Sequence, residues 1–120
     1  IATTLVQIPT KALTDVLIIL LDNAIKYSAK KTTVTVKLTE TKKRLALSVT
    51  DQGIGIPASD VPHIFDRFYQ VESSRTSDEK HGYGLGLAIA KQTIEAYRGT
   101  VSVVSEIGVG STFSLHVPKA

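Results

Sequence analysis

The feature that most narrows what this chain can fold into is an acidic residue standing where its own pattern calls for an apolar one. Leu45, Leu47 and Val49 alternate with Ala46, Ser48 and Thr50, the period of a strand with one buried face, and Asp51 continues the buried phase. A carboxylate turned into a core without a partner costs several kcal/mol, so something must donate hydrogen bonds to it. The plain alternative is that Asp51 opens a turn and accepts from a nearby backbone N–H. The sequence D-Q-G-I-G-I-P, from Asp51 to Pro57, adds a second possibility. Gly53 and Gly55 remove side chains beside the carboxylate, which permits a flat ligand to approach or the backbone to take positive φ.

Around this residue the chain is punctuated into a few elements. Pro9 and Thr10 form a cap signal, after which Leu13, Val16, Leu17, Leu20, Leu21, Ala24 and Ile25 recur at helical spacing as one apolar face. Val34, Val36 and Leu38 alternate with Thr33, Thr35 and Lys37, and the polar stretch from Glu40 to Lys43 joins them to the Leu45–Val49 segment as a hairpin. Pro57 to Tyr69 reads as one or two helical turns interrupted near Pro62. From Val71 to His81 only Val71 is apolar and charges abound, the composition of a mobile loop. Leu85 to Arg98 reads as a second helix, with Leu85, Ala88, Ile89, Gln92 and Ala96 near one side and Gly99 as its C-terminal cap. Two strands, Thr100 to Ser105 and Ser111 to Val117, close the chain around a Gly108–Gly110 turn. The order helix, hairpin, loop, helix, hairpin predicts an α/β (α+β) two-layer sandwich, its mixed, mostly antiparallel sheet carrying the helices on one face.

Composition excludes several classes. At 120 residues, 1–120 is expected to be a single domain. The 14 Lys+Arg against 11 Asp+Glu leave a scattered net charge of +3, without the basic stripe that nucleic acid requires. With no Cys there is no disulfide framework, thiolate metal site or thiol nucleophile. The longest apolar run, Val16 to Leu21, falls far short of the ~20 residues that span a bilayer, so no membrane insertion is expected. The chain opens on Ile1 rather than Met and reads as a piece of something longer.

Three further breaks in the pattern bear on chemistry. Asp22, Asn23 and Lys26 interrupt the apolar helix, and Asn23 and Lys26, three apart, share a face that Tyr27 borders. An Asn carbonyl suits a hard cation and a Lys ammonium suits phosphate, while an ordinary solvated helix edge would look the same. In G-Y-G-L-G-L-A-I-A, Gly82, Gly84 and Gly86 stand at the mouth of the second helix, where backbone N–H groups can approach an anion or where a hinge can bend. The spacing is neither that of a P-loop nor that of a dinucleotide fingerprint. G-V-G-S-T, from Gly108 to Thr112, fits a tight hairpin turn equally well.

Taken in order, the Asn-bearing helix, D-x-G-x-G, a Phe-rich segment, G-x-G-L-G-L and G-x-G-S-T-F resemble the catalytic, ATP-binding domain of sensor histidine kinases. That domain lies within the GHKL ATPases, which also hold gyrase-, Hsp90- and MutL-type members. L-L-D-N-A-I-K-Y-S looks like the family's asparagine box and I-F-D-R-F-Y like its phenylalanine box, and both favour the kinase branch. The resemblance runs from about Leu13 to Val117 and implies a site residue by residue. Asn23 would ligate the Mg²⁺ that bridges ATP phosphates, Lys26 would reach a phosphate oxygen, and Tyr27 would lie near the base or ribose. Asp51 would accept from the adenine amino group, Gly53 and Gly55 would make room for the base, and Thr112 would support the adenine end near Asp51. Gly82, Gly84, Leu85 and Gly86 would line the triphosphate. Phe65 and Phe68 would anchor a lid running roughly from Tyr69 to His81.

Two positions depart from the family pattern. Ile19 stands where members commonly carry Asn or an acidic residue, so metal ligation would rest on Asn23 and water, and no catalytic base is assigned. Gln70 stands where many carry Arg, leaving Arg67, Arg75 or Lys80 as the lid's phosphate-contacting cation. The implied activity is binding of Mg-ATP and transfer of its γ-phosphoryl group to a histidine on a separate dimerisation domain, in two-component signalling with a response regulator downstream. His63, His81 and His116 do not sit where such acceptors lie, so the acceptor domain is expected outside this chain. The isolated domain is expected to be a monomer, cytoplasmic, with its parent at a membrane. The alternatives are a GHKL hydrolase or serine-directed kinase, or a non-catalytic nucleotide-binding module.

Overall fold

A computed structural model describes residues 8–28, 31–69 and 86–119 of the chain. Four strands, β1 (Thr35–Glu40), β2 (Arg44–Thr50), β3 (Thr100–Glu106) and β4 (Gly110–Pro118), form one sheet in the order β1-β2-β4-β3. Every pairing among them is antiparallel, with Leu47 opposite Leu115 and Val49 opposite Phe113 at the centre. The two expected hairpins therefore lie side by side through β2 and β4, which brings the end of β2, where Asp51 follows, to the start of β4.

The period of two sorts the strands into faces. Leu45, Val49, Phe113, Leu115 and Val117 are buried and share a core with Val16, Leu20 and Ala24 of helix α1 (Thr10–Tyr27) and Ala90 and Ile94 of helix α2 (Gly86–Ala96). Ser48, Thr112, Ser114 and His116 alternate with them onto the other face. This is the expected two-layer arrangement, helices on one side. The edge strand β1 is exposed along its whole length, so Val36 and Leu38 continue the apolar face of β2 without entering the core.

Several local expectations are corrected. Pro9 occupies the N-cap of α1 without a side-chain bond, and Thr10 is already helical. Ile25, placed on the apolar face from its spacing, is 67% exposed. At 3.6 residues per turn it lies roughly 140° from Leu20, the centre of the buried stripe. In α2 the buried stripe is Leu87, Ala90 and Ile94, while Ile89, Gln92 and Ala96 face solvent. The two candidate stripes differ little in apolar content, but Gln92 interrupts the one expected. Leu85 lies outside the described residues. Pro62 is the second residue of a short 3₁₀ turn, Val61–His63, rather than a break in a helix, because its missing N–H costs nothing in a first turn.

The end of α2 is closed differently from expectation. Gly99 N–H donates to Ile94 O at 2.9 Å and Arg98 N–H to Glu95 O at 3.0 Å, the paired bonds of a Schellman motif. The left-handed residue is Arg98, with φ 68°, not Gly99. Gly99 is required for space: a Cβ there would lie 2.3 Å from His116 O.

Candidate nucleotide site

Asp51 is buried, with 5% of its surface exposed. Its Oδ1 accepts from Gly53 N–H at 2.9 Å and from Ser111 N–H at 3.2 Å. Both sequence-level readings of this residue thus hold at once, since the carboxylate faces inward and also closes a turn. Oδ2 accepts from none of the described residues. The backbone fixes the strand end as well, with Asp51 N–H donating to Ser111 O at 2.9 Å.

The glycines of D-Q-G-I-G explain the tightness of this corner, and Gly55 takes the positive φ that is one of the two expected uses. A Cβ on Gly53 would lie 2.0 Å from Tyr27 O, and one on Gly55, whose φ is +77°, would lie 2.2 Å from Glu106 O. In the direction a side chain would take, both glycines meet backbone. Gly53 lets the end of α1 pair with the loop, through an antiparallel bridge between Ser28 and Gly53. Gly55 lets the loop lie against the β3–β4 turn, where Gly108 N–H donates to Ile54 O at 3.0 Å.

Thr112 lies beside the end of β2, but its side chain takes the face opposite that of the Asp51 carboxylate. Its hydroxyl lies 2.9 Å from that of Thr50, directly opposite in register, and both belong to the face turned from the helices. The neighbour on the carboxylate's side is Ser111, one residue earlier, whose hydroxyl lies 2.7 Å from that of Ser105 on β3. Ser105 also accepts from Ile56 N–H at 2.7 Å. Neither serine stood among the expected site residues.

On α1, Asn23 and Tyr27 are half-buried, and the Lys26 ammonium sits 3.2 Å from Asp22. An exposed i,i+4 pair of this kind is worth under ~1 kcal/mol, so it yields readily to a phosphate. Ile19 points toward the start of α2: a Cβ on Gly86 would rest 3.5 Å from Ile19 Cγ2. The position lacking a polar group is therefore at the junction of the two helices, facing the end of α2 that carries partial positive charge. No cluster of three His, Cys, Asp or Glu suited to a metal ion occurs among the described residues.

In the phenylalanine segment Ile64 is buried in the core, and of the two phenylalanines Phe65 is the anchored one. Its ring meets Phe113 edge-on at 6.1 Å, and Lys91 Nζ lies 5.8 Å from its centre. Phe68 is 65% exposed, with φ 66° and Arg67 stacked over it. The Tyr69 hydroxyl donates to Asp60. Gln70, Arg75, Lys80, Gly82, Gly84 and Leu85, with the rest of the expected lid after Tyr69, His81 included, lie outside the described residues.

An antiparallel sheet is thus backed by the two described helices, with a buried acid where β2 meets the glycine-bearing loop. Residues 9–120 match the family described as histidine kinase-, DNA gyrase B- and HSP90-like ATPase, and the chain belongs to that family. It is 45% identical over 98 residues to the signal transduction histidine-protein kinase ArlS of Staphylococcus aureus, covering 82% of this chain and 22% of ArlS. It is 42% identical over 104 residues to the sensor protein KdpD of Clostridium acetobutylicum, covering 87% of this chain and 11% of KdpD. The structure superposes on the mycobacterial sensor histidine kinase MprB with a TM-score of 0.83 and 31% identity, over 92% of this chain and 74% of that one. Full-length ShkA, solved in complex with AMPPNP, superposes with a TM-score of 0.77 and 30% identity, over 91% of this chain and 22% of ShkA. The chain is thus similar over most of its length to the ATPase portion of sensor histidine kinases, and it spans only a small part of the curated relatives it matches. No described helix is long and apolar enough to cross a membrane.

Proposed function

We propose that this domain binds ATP with Mg²⁺ and passes the γ-phosphoryl group to a histidine on a dimerisation domain that residues 1–120 do not include. The bond from the γ-phosphorus to the β,γ-bridging oxygen breaks, a bond from phosphorus to an imidazole nitrogen forms, and ADP leaves. The observation that carries the reading is the half-satisfied Asp51 carboxylate. Its Oδ1 is held by two backbone N–H groups while Oδ2 keeps its lone pairs for another donor, and an adenine amino group supplies one. Asn23 and Lys26 share the α1 face expected at the phosphates. Mg²⁺ retains much of its water and takes few protein ligands beside phosphate oxygens, so a single Asn23 carbonyl fits it. This domain's own part is to hold the nucleotide in line with the acceptor. Gly86 opens α2, and with Gly82 and Gly84 it would offer N–H groups to the triphosphate. The acceptor domain, a response regulator and a cytoplasmic position beneath a membrane-bound parent complete the proposal.

Asp51→Asn tests it. Asn keeps a carbonyl oxygen for Gly53 and Ser111, so the fold survives, but it replaces Oδ2 with an N–H₂ that opposes the adenine amino group. ATP affinity is expected to fall by at least about fivefold, since an unmade buried hydrogen bond costs ~1–3 kcal/mol. Calorimetric titration that finds equal affinity in the variant refutes the reading. Ile19 favours one alternative, a nucleotide-binding module without phosphotransfer. If ATP binds but no label from γ-³²P-ATP reaches the histidine of a dimerisation domain supplied in trans, that alternative holds.

A further inference from the structure

We infer that Ser105, on β3 and outside every glycine-bearing motif, is the positioning residue that fixes Asp51 for recognition of a purine amino group. The inference rests on the nucleotide reading above and extends it to a residue that need not touch the ligand. Ser105 follows Val101 and Val103 in the inward phase of β3 and is half-buried. Its hydroxyl meets three groups: Ile56 N–H at 2.7 Å, Ser111 Oγ at 2.7 Å and Gly110 O at 3.1 Å.

A serine hydroxyl has one proton and two lone pairs. Ile56 N–H can only donate and Gly110 O can only accept. All three contacts are made together in one arrangement alone: Ile56 N–H and the Ser111 hydroxyl donate to Ser105, and Ser105 donates to Gly110 O. Ser105 is then saturated. It ties the loop that follows Asp51, through Ile56, to the start of β4, through Gly110 and Ser111.

Those are the two segments that supply the donors to Asp51 Oδ1. Gly53 lies in the loop three residues before Ile56, and Ser111 donates its own N–H. The segments press together with no room for slack, since a Cβ on Gly110 would lie 2.1 Å from Asp51 O. With Oδ1 gripped from both sides, the carboxylate cannot rotate and Oδ2 keeps one direction. Loss of the Ser105 hydroxyl takes from Ile56 N–H the acceptor it has here and removes the bond to Gly110 O, in a half-buried corner. The loop then gains freedom relative to β4, and the carboxylate with it.

The test compares Ser105→Ala, Ser105→Thr and Asp51→Asn with the parent chain, by titration with ATP and with GTP and by amide hydrogen exchange. In Ser105→Ala, exchange at Gly53 and Ser111 should quicken while the β1–β2 hairpin keeps its protection. The preference for ATP over GTP should fall about tenfold, the equivalent of ~1.4 kcal/mol. Ser105→Thr, which keeps the hydroxyl, should restore both. In an Asp51→Asn background, Ser105→Ala should change the preference no further. A residue that merely stabilised the fold would lower both affinities alike and leave the ratio untouched, and that result overturns the inference. Unchanged exchange at Gly53 and Ser111 overturns it without reference to nucleotide. Quickened exchange in a chain that never preferred ATP to GTP sinks the adenine reading itself, and the inference with it.

Discussion

Gly53→Ala is the substitution on which the geometry of the corner makes its sharpest demand. The added methyl would stand 2.0 Å from Tyr27 O, 2.8 Å from Tyr27 C and 3.0 Å from Asp51 Oδ1. Nonbonded heavy atoms settle near 3.5 Å, so the end of α1 and the loop must part by roughly 1 Å or more. The obstacle is backbone on the far side, not the tip of a side chain that could swing away. Overpacking of this kind costs ~1–3 kcal/mol. Gly53 N–H also makes the 2.9 Å bond to the Asp51 carboxylate. A hydrogen bond to a charged group contributes ~1.5–3 kcal/mol, part of which is lost when Gly53 shifts.

The two effects overlap, and about 3 kcal/mol is expected in total, which for a domain of this size lowers Tm by roughly 10 °C. Two other glycines calibrate the measurement. Gly86→Ala meets only Ile19 Cγ2 at 3.5 Å, ordinary contact, and should change stability by under ~0.5 kcal/mol. Gly108→Ala meets nothing within 4 Å but sits at φ +81°, so it should cost ~1 kcal/mol from backbone conformation alone. Urea unfolding followed by far-UV circular dichroism ranks the three. If Gly53→Ala falls within ~1 kcal/mol of the parent, or below Gly108→Ala, the docking of α1 on the loop is not what the glycine serves.

Two further substitutions test the corrected helix. Arg98→Gly replaces an exposed side chain at φ 68° with the residue suited to that conformation, and should raise stability by about 1 kcal/mol in thermal unfolding; a loss of stability would argue against the Schellman assignment. Ile94→Ala, at 0% exposure, should cost ~3 kcal/mol in urea unfolding, while Ile89→Ala, at 49%, should cost well under half of that; the reverse order would restore the other stripe of α2.

The alternation of Leu45, Leu47 and Val49 was enough to place β2, its hairpin with β1 and the inward turn of Asp51, because burial on one face leaves register no freedom. The helices were legible as helices but their phase was not. Each carries apolar residues more than halfway round, and only contact with the sheet selects Val16, Leu20 and Ala24, or Ala90 and Ile94, as the buried stripe. Val36 and Leu38 show the converse on β1, where a period of two survives in a strand that nothing described covers. Glycine motifs gave position without purpose. Gly53 and Gly55 mark the corner correctly, yet their missing side chains admit Tyr27 O and Glu106 O, partners from distant parts of the chain that no local reading supplies.

The face taken by Thr112 follows from the same alternation that turns Asp51 inward. Asp51 drew notice because it is polar in an apolar phase. Continued along β4, that phase runs Val117, Leu115, Phe113 and then Ser111, not Thr112, which falls between and pairs with Thr50 across the other face. Along β3 it runs Val101, Val103 and then Ser105. Three strands thus end their apolar phase on a polar residue at the same edge of the sheet. The antiparallel register, which sets Ser105 against Ser111 and Thr50 against Thr112, brings the three together. Polar groups left inward at one end of a sheet must satisfy one another, water or a ligand, and here the described hydroxyls and backbone N–H groups meet all but Asp51 Oδ2. That remaining acceptor is where the periodicity of the strands passes into chemistry.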